Sequence, residues 1–435
     1  MSNALYRNDR PGAFPKSWYA ATADIPAERP ALKGQHTADV CIVGAGFTGL
    51  MAALDLAEAG MKVIVLDAHR AGWGASGRNG GQVGSGFNKD QRWLSARLGK
   101  GPAKALWDMT EEAKDLLKAK VEKHAPEARF RSGVAHGAYD AVEARELRDE
   151  AEFLRRTYNY DDIEGLTRDP FQAIVKSPHY QGGLIDRGAG HIHPLRYALG
   201  LAKAAEHAGA EIYERSEVHH IDDGATVTVA TGQGRVQAPF VILAGNGYLP
   251  NLKRKVAART MPINSFIAAT EPLGDRAKDV LTQDIAVADS KFVVNYFRLS
   301  EDNRLLFGGR ENYGVGFPQN IEPALRKRME HMFPQLEGIG IDYTWGGTLG
   351  ITPSRLPLVT RVAPNIVSAG GFSGHGVAHS GFAGRLMAEA VRGQAERFDV
   401  FASLPTPAFP GGTMLRAPLL AAAMSWYSLR DRLGF

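Results

Sequence analysis

The sequence predicts an α/β protein: a Rossmann-like domain assembled from separated segments and interrupted twice by pieces of a second domain. Three observations carry this. A β-α-β rhythm closes within residues 38–68 around Gly44-Ala45-Gly46-Phe47-Thr48-Gly49. A segment from Pro194 to Gly245 and another from Asn365 onward again join strands and helices at glycines. The stretches between them differ in texture, one charge-rich and helical, the other rich in alternating strands.

The elements follow in order. Residues 1–36, rich in Pro, Ala and polar side chains, read as an extended surface arm. The run ADVCIVG ends at Gly44, and FTGLMAALDLAEAG has apolar residues at helical spacing with Gly60 as C-cap. MKVIVLDA is β-branched and ends on Asp67, so the intervening helix is the crossover that a parallel pair needs. Residues 91–180 read as charged helices. Pro194 opens a helix ending near Gly209, followed by the strand EIYERSEV and an alternating hairpin that leads to Ala244 and Gly245. Residues 255–350 hold strands such as KFVVNYFRLS and RLLFGGREN, with a helix around Ala324–Met332. The last segment runs strand, glycine loop, helix. The expected division is an arm at 1–36, a nucleotide domain from 37–90, 181–254 and 351–400, a second domain from 91–180 and 255–350, and a tail at 401–435.

Composition removes several classes. Of 435 residues, 51 are Lys or Arg and 47 Asp or Glu, and the basic residues are dispersed, which argues against a nucleic-acid surface. The one cysteine, Cys41, cannot make an intramolecular disulfide or a cysteine-built metal site. No apolar run reaches the roughly 18–20 residues of a membrane helix. The N-terminal stretch lacks an apolar signal core, so the expected location is the cytoplasm. Glycine, at 49 residues, exceeds the roughly 7 % usual share.

That glycine is placed where it does chemistry. In G-x-G-x-x-G, Gly44 permits the tight turn, Gly46 lets the main chain approach a pyrophosphate at a helix N-terminus, and Gly49 lets helix and strand pack closely. Asp67, at the end of the second strand, can accept hydrogen bonds from ribose hydroxyls. An adenine dinucleotide is expected. The next stretch, Ala71-Gly72-Trp73-Gly74-Ala75-Ser76-Gly77-Arg78-Asn79-Gly80-Gly81-Gln82, suits a flavin rather than a nicotinamide. A flat fused ring needs main chain at van der Waals distance, and Asn or Gln side chains can reach its polar edge; the alternative is a flexible surface loop. A second glycine loop, Gly370 to Val377, precedes another helix. Its N-terminal N–H donors suit the anionic reduced flavin. His375 there either bonds to or packs on the ring, or is a loop histidine without special role.

The succession ADVCIVGAGFTGL, VIVLDA, GWGASGRNGGQ and GFSGHGV resembles the FAD-dependent oxidoreductases of the D-amino-acid oxidase superfamily. GASGRNGGQ, the lead-in SWYAATADIPA and the tail FPGGTMLRAPLLAAAMSWYSLRDRL are most similar to the γ-glutamylputrescine oxidoreductases. The resemblance implies a Rossmann-like FAD domain and a substrate domain whose antiparallel sheet roofs the flavin. It places Gly44, Gly46, Phe47, Thr48, Gly49, Asp67 and Ala68 at the ADP half. Gly74, Ala75, Ser76, Arg78, Asn79, Gly80, Gly81 and Gln82 would run beside the ribityl chain and flavin. Val218 would meet adenine through its main chain, and Ala244 and Gly245 would close the pyrophosphate side. Gly374, His375, Gly376 and Val377 would sit at the flavin's N1–C2 edge.

The resemblance also implies the reaction. A small-molecule amine, of the γ-glutamylputrescine kind or alternatively a D-amino acid or a glycine- or sarcosine-type secondary amine, would pass a hydride to flavin N5. A flavin-binding protein without turnover is the remaining alternative. Tyr296, Phe297 and Trp345 are candidate walls of the dry pocket such chemistry needs, or ordinary core. Arg298 and Arg310 could receive a substrate carboxylate, or make salt bridges. Because Cys41 lies inside the first strand, FAD is expected to be non-covalent. Sarcosine-oxidase-like relatives use a lysine near the flavin to activate oxygen. Asn303–Arg310 has none, which argues against direct reoxidation by O2 and leaves the acceptor open between O2 and another carrier. No metal site is expected: His191 and His193 have no evident third ligand. The apolar tail from Leu415 packs on the body, with membrane contact the less favoured reading.

Overall fold

The structure, a computed structural model, describes residues 5–249, 252–291, 294–312 and 316–412, with the main chain alone at 310–312. The expected tail helix and Arg310's side chain therefore lie outside the described residues.

Strand Val40–Val43 is the centre of a six-stranded sheet. In order, its strands are Leu358–Ala363, Ile366–Gly370, Phe240–Leu243, Val40–Val43, Val63–Leu66 and Glu211–Tyr213. All neighbours are parallel except the edge strand Leu358–Ala363. Parallel strands are buried on both faces, which explains the continuous apolar runs. Val40, Ile42, Val63 and Val65 point into the helical core. Cys41, Val43, Ile64 and Leu66 point the other way, into a core shared with Val227, Val229 and Val236. Those valines belong to a four-stranded sheet, Gly34–Thr37, Gly234–Ala238, Val227–Thr231 and Val218–Asp222.

The helical layer holds Phe47–Glu58, Pro194–His207 and Val377–Val391. The first and last cross so closely that a Cβ on Gly384 would stand 2.2 Å from the Thr48 carbonyl oxygen. Both start from the carboxyl ends of parallel strands of one sheet, so both N-termini open on the same edge.

The second domain is a nine-stranded, mostly antiparallel sheet. Its order is Ile341–Ile351, Met261–Thr270, Leu305–Asn312, Tyr296–Leu299, Ala286–Asp289, Arg131–Ala138, Gly182–His191 and Gln82–Val83, with Ile163–Thr167 also on Gly182–His191.

The domain boundaries differ from expectation in four places. Helices Gln91–Leu98 and Lys100–His124 belong with the nucleotide domain, because Leu94, Leu106, Ala113, Leu117 and Val121 join the core of Leu50 and Phe382. Their charges are the outer faces of amphipathic helices. Strand Gly182–His191 belongs to the second sheet, where it pairs with Arg131–Ala138. Gln82–Val83 enters that sheet too, so the first glycine loop bridges the two domains. The arm ends before Gly34, which starts a strand paired with Gly234–Gln237. Among the described residues no helix is long and apolar enough to cross a membrane.

Gly384→Ala tests the helix crossing. Ala is the better helix former by about 1 kcal/mol, but a Cβ on a main-chain carbonyl forces the helices apart at about 1–3 kcal/mol or more. The steric term offsets that gain, so urea unfolding should show a net loss of up to about 2 kcal/mol. A stabilised variant would mean that the helices are not in this contact.

Candidate cofactor and substrate site

The strand leaves its sheet at Gly44, whose φ of +109° requires glycine. Its approach to Ala244 requires it too, since a Cβ there would stand 2.8 Å from the Ala244 carbonyl oxygen. Gly49 is tighter still, with a Cβ position 1.9 Å from the Gly44 carbonyl oxygen. Gly46 caps helix Phe47–Glu58, and the Phe47 N–H donates to Ser76 Oγ at 2.9 Å. No side chain of Gly46 can cap this helix and no acidic residue stands in its first turn. Beyond the Phe47 N–H, its N–H donors and partial positive charge are left for an anion.

Asp67 ends the second strand. Its Oδ2 accepts from Ala45 N–H at 2.7 Å and its Oδ1 from His69 N–H at 2.8 Å. Burial pushes its carboxyl up to about 6, against the pull of those two N–H bonds. Ala68 follows it directly. Val218 opens the strand Val218–Asp222 close behind Ser216, whose N–H donates to the Asp67 carbonyl at 2.7 Å.

The first glycine loop folds on itself. Gly72 N–H donates to the Ala45 carbonyl, and a Cβ on Gly77 would meet the Gly72 oxygen at 2.2 Å. Gly74, Ala75 and Ser76 lead through a short turn, in which Asn79 Nδ2 donates to the Ala75 and Ser76 carbonyls and Oδ1 accepts from Gly81 N–H. Gln82 Nε2 donates to the Val287 carbonyl at 2.8 Å. Both amides thus hold protein main chain, where sequence reasoning had them free to reach the cofactor's polar edge. Arg78 is buried, stacks on Trp73 at 4.2 Å, and donates to Trp73 O, Gly346 O and Asp9. Its Nη2 is buried with no hydrogen-bond partner among the described residues.

The second loop turns through Gly371, Ser373 and Gly374, at φ +65°, +54° and +87°. A Cβ on Gly374 would meet nothing within 4 Å. Gly376 caps helix Val377–Val391, again without side-chain cap or acidic first turn. Asn246, itself at φ +47°, ties the loop to the chain after Ala244 and Gly245 by accepting from Gly371 N–H at 2.9 Å. Nothing but a short G-N-G marked this residue in the sequence. His375 packs its ring on Gly84, and its Nε2 is buried without a partner among the described residues. Burial lowers its imidazole to about 4, so it is neutral at pH 7 and cannot serve as a fixed cation.

On the second sheet, Tyr296 and Arg298 share the face toward the first loop. The Tyr296 ring covers Gly308 and Gly80, and its hydroxyl is 3.2 Å from Ser265 Oγ. Arg298 donates to Gly80 O, Leu299 O, Ile192 O and Tyr19 OH. Its fork holds the loop, a positioning task rather than the expected carboxylate contact. Phe297 faces away by strand alternation and packs on Phe333 in the domain core, so it is no wall of the site. Trp345 is buried beside Tyr19 and donates to the Arg78 carbonyl at 3.0 Å. Arg310's main chain pairs with Phe266. His193 accepts from Arg196 N–H as a helix cap, and His191 ends its strand; no group of three metal-ligating side chains occurs among the described residues. Sequence reasoning missed Lys114, only 2 % exposed, which reaches Glu111, Ser85 and Tyr160 one residue from the Gly84–His375 contact. It was hidden in a run of charges.

Two helix N-termini that begin on glycine, a carboxylate at the end of the second strand and a glycine-lined main chain between them define a dinucleotide-binding flavoprotein. Comparison with known proteins agrees. The family model for DAO, FAD dependent oxidoreductase, matches residues 39–390, and the chain belongs to this family of FAD-dependent enzymes. It is 40 % identical over 417 residues to the probable oxidoreductase OrdL of Rhizobium meliloti (strain 1021), covering 96 % of this chain and 97 % of that one. It is also 40 % identical over 420 residues to the gamma-glutamylputrescine oxidoreductase of Escherichia coli (strain K12), covering 96 % and 98 %. The crystal structure of glycine oxidase from Geobacillus kaustophilus superposes with a TM-score of 0.69 at 22 % identity, over 82 % of this chain and 95 % of that one, a likeness of fold. The residues present fit FAD: the donor set is anion-seeking where the pyrophosphate belongs, and Arg78 Nη2 is an unused buried donor in the loop.

Asp67 makes this pH-sensitive. As the expected acceptor for ribose hydroxyls Asp67 must be ionised, and burial in the unliganded protein raises its carboxyl to about 6. FAD affinity should therefore fall as pH drops through that value, and Asp67→Asn should flatten the dependence. Titration of apoprotein with FAD between about pH 5 and pH 8, a span that brackets the shifted carboxyl, checks it. An unchanged slope in the variant would remove Asp67 from the site.

Proposed function

We propose that the protein oxidises the C–N bond of an amine or amino acid, with a γ-glutamylputrescine-like amine as favoured substrate. The observation that carries this is the 40 % identity, over 96 % of the chain, to the Escherichia coli gamma-glutamylputrescine oxidoreductase. Bound FAD would supply the two-electron acceptor for the hydride of the carbon beside nitrogen; with loss of an N–H proton the substrate becomes an imine, which water hydrolyses to a carbonyl compound and ammonia, or a smaller amine where the substrate is a secondary amine.

The chain's own residues must present that carbon and keep the nitrogen unprotonated. A free alkyl amine titrates near lysine, about 10.4, and a dry apolar wall lowers this because burial penalises the charged form. Tyr296, laid across Gly80 and Gly308, offers such a wall. Arg298 fixes the main chain at Gly80 beneath it. The N-terminus of helix Val377–Val391 supplies partial positive charge at the second loop. Cys41 is fully buried in the first strand and its thiol is pushed up by burial, which supports a non-covalent cofactor. The cytoplasm is the proposed place of work.

Anaerobic mixing of the holoenzyme with γ-glutamylputrescine, putrescine, sarcosine, glycine and D-amino acids tests the assignment. γ-Glutamylputrescine should bleach the yellow flavin absorbance fastest, and an oxygen-consumption trace then identifies or excludes O2 as acceptor. A spectrum left oxidised by every compound would overturn it.

A further inference from the structure

The N-terminal arm takes no part in the two glycine loops, yet its contacts converge on the segment that carries Asp67 and Arg78. The Leu5 carbonyl lies 2.8 Å from His69 Nε2, and Gly12 N–H donates to His69 Nδ1 at 3.2 Å. The Ala13 carbonyl accepts from Trp73 Nε1 at 2.8 Å. His69 and Trp73 are stacked at 3.6 Å, and the Tyr6 ring joins them 5.0 Å from His69. Asp9 pairs with the buried guanidinium of Arg78 at 2.9 Å. Asn8 Oδ1 accepts from Phe317 N–H, which belongs to the second domain.

Tyr6 is the informative member. Its hydroxyl is hydrogen-bonded to the Glu217 carboxylate, and the charge of Asp67 also acts on it. Glu217 adjoins Val218. Tyr6 is thereby tied to the neighbour of Val218 and within reach of the charge of Asp67, the two residues that the resemblance puts at the adenine and ribose ends of the cofactor site. A free surface arm has no reason to order itself over a buried histidine and a buried arginine. This one is held at both ends of residues 5–13 and in the middle, by side chains of the cofactor domain.

We infer that residues 5–13 are the outer wall of the adenosine half of the FAD site, with Tyr6 as the residue nearest the nucleoside and the Asp9–Arg78 pair as the latch. The inference rests on the assignment of FAD to the two glycine loops and adds a third, separately encoded wall. The chain closes its cofactor site with its own N-terminus, so dinucleotide release requires the arm to lift.

Two altered forms of the holoenzyme test this, one lacking residues 2–13 and one, otherwise full-length, carrying Tyr6→Ala in case the truncated chain does not fold. Wild-type protein that binds no FAD would refute the cofactor assignment itself, and with it this inference. With FAD bound, each altered form should release it at least about tenfold faster, the scale of one or two lost hydrogen bonds, as read by the rise in free-flavin fluorescence. The adenosine end is isolated in the Tyr6→Ala form by a second ligand: its affinity for FMN, which lacks that half, should not change. Release at the wild-type rate in both forms, or an equal loss of FMN and FAD affinity, would overturn the arm's role as an adenosine wall.

Discussion

The fold depends on main chains passing closer to one another than a single methyl group would allow. A Cβ on Gly49 would sit on the Gly44 carbonyl, one on Gly384 on the Thr48 carbonyl, and one on Gly81 on the Ile192 carbonyl. These three contacts fix the first helix on its strand, the last helix on the first, and the first glycine loop on the second domain. Because both helices start from parallel strands of one sheet, the same contacts bring two glycine-started N-termini to one edge. The electrostatics of the site follow from that packing.

The rest of the architecture braces these close approaches. Asn246 joins the second glycine loop to the chain leaving the central sheet. Arg298 reaches from the second sheet to the Gly80 and Ile192 carbonyls, and Trp345 reaches the carbonyl of Arg78. A main-chain cradle offers few side chains to orient itself, so side chains from other segments do the orienting. In turn, Glu214, 1 % exposed, accepts from Arg29 and Arg70 and from Ala71 N–H, clamping the arm and the start of the loop together.

The cofactor domain was legible in the sequence because its determinants are local. Gly44, Gly46, Gly49 and Asp67 fall at spacings dictated by one β-α-β unit, and the second loop repeats that logic before another helix. What was not legible depends on register and distance. Strand alternation sends Phe297 into the core and Arg298 to the loop, yet adjacent residues in a short strand give no sign of which face is which. Helix Lys100–His124 reads as charged because its outer face is charged, which concealed both its membership of the nucleotide core and the burial of Lys114. The arm's partners lie some sixty residues or more away, at His69, Trp73 and Arg78, where no local pattern reveals them.

The glycine-lined loops, together with a lone Cys41 sealed inside a strand, predict one FAD per chain held without a covalent bond. Heat denaturation of the purified protein followed by chromatography of the supernatant measures it directly. Free FAD should appear in the supernatant at a level equal to the protein, one molecule for each chain, and the pellet should be colourless. FMN in place of FAD, flavin that stays with the precipitated chain, or no flavin at all would contradict it.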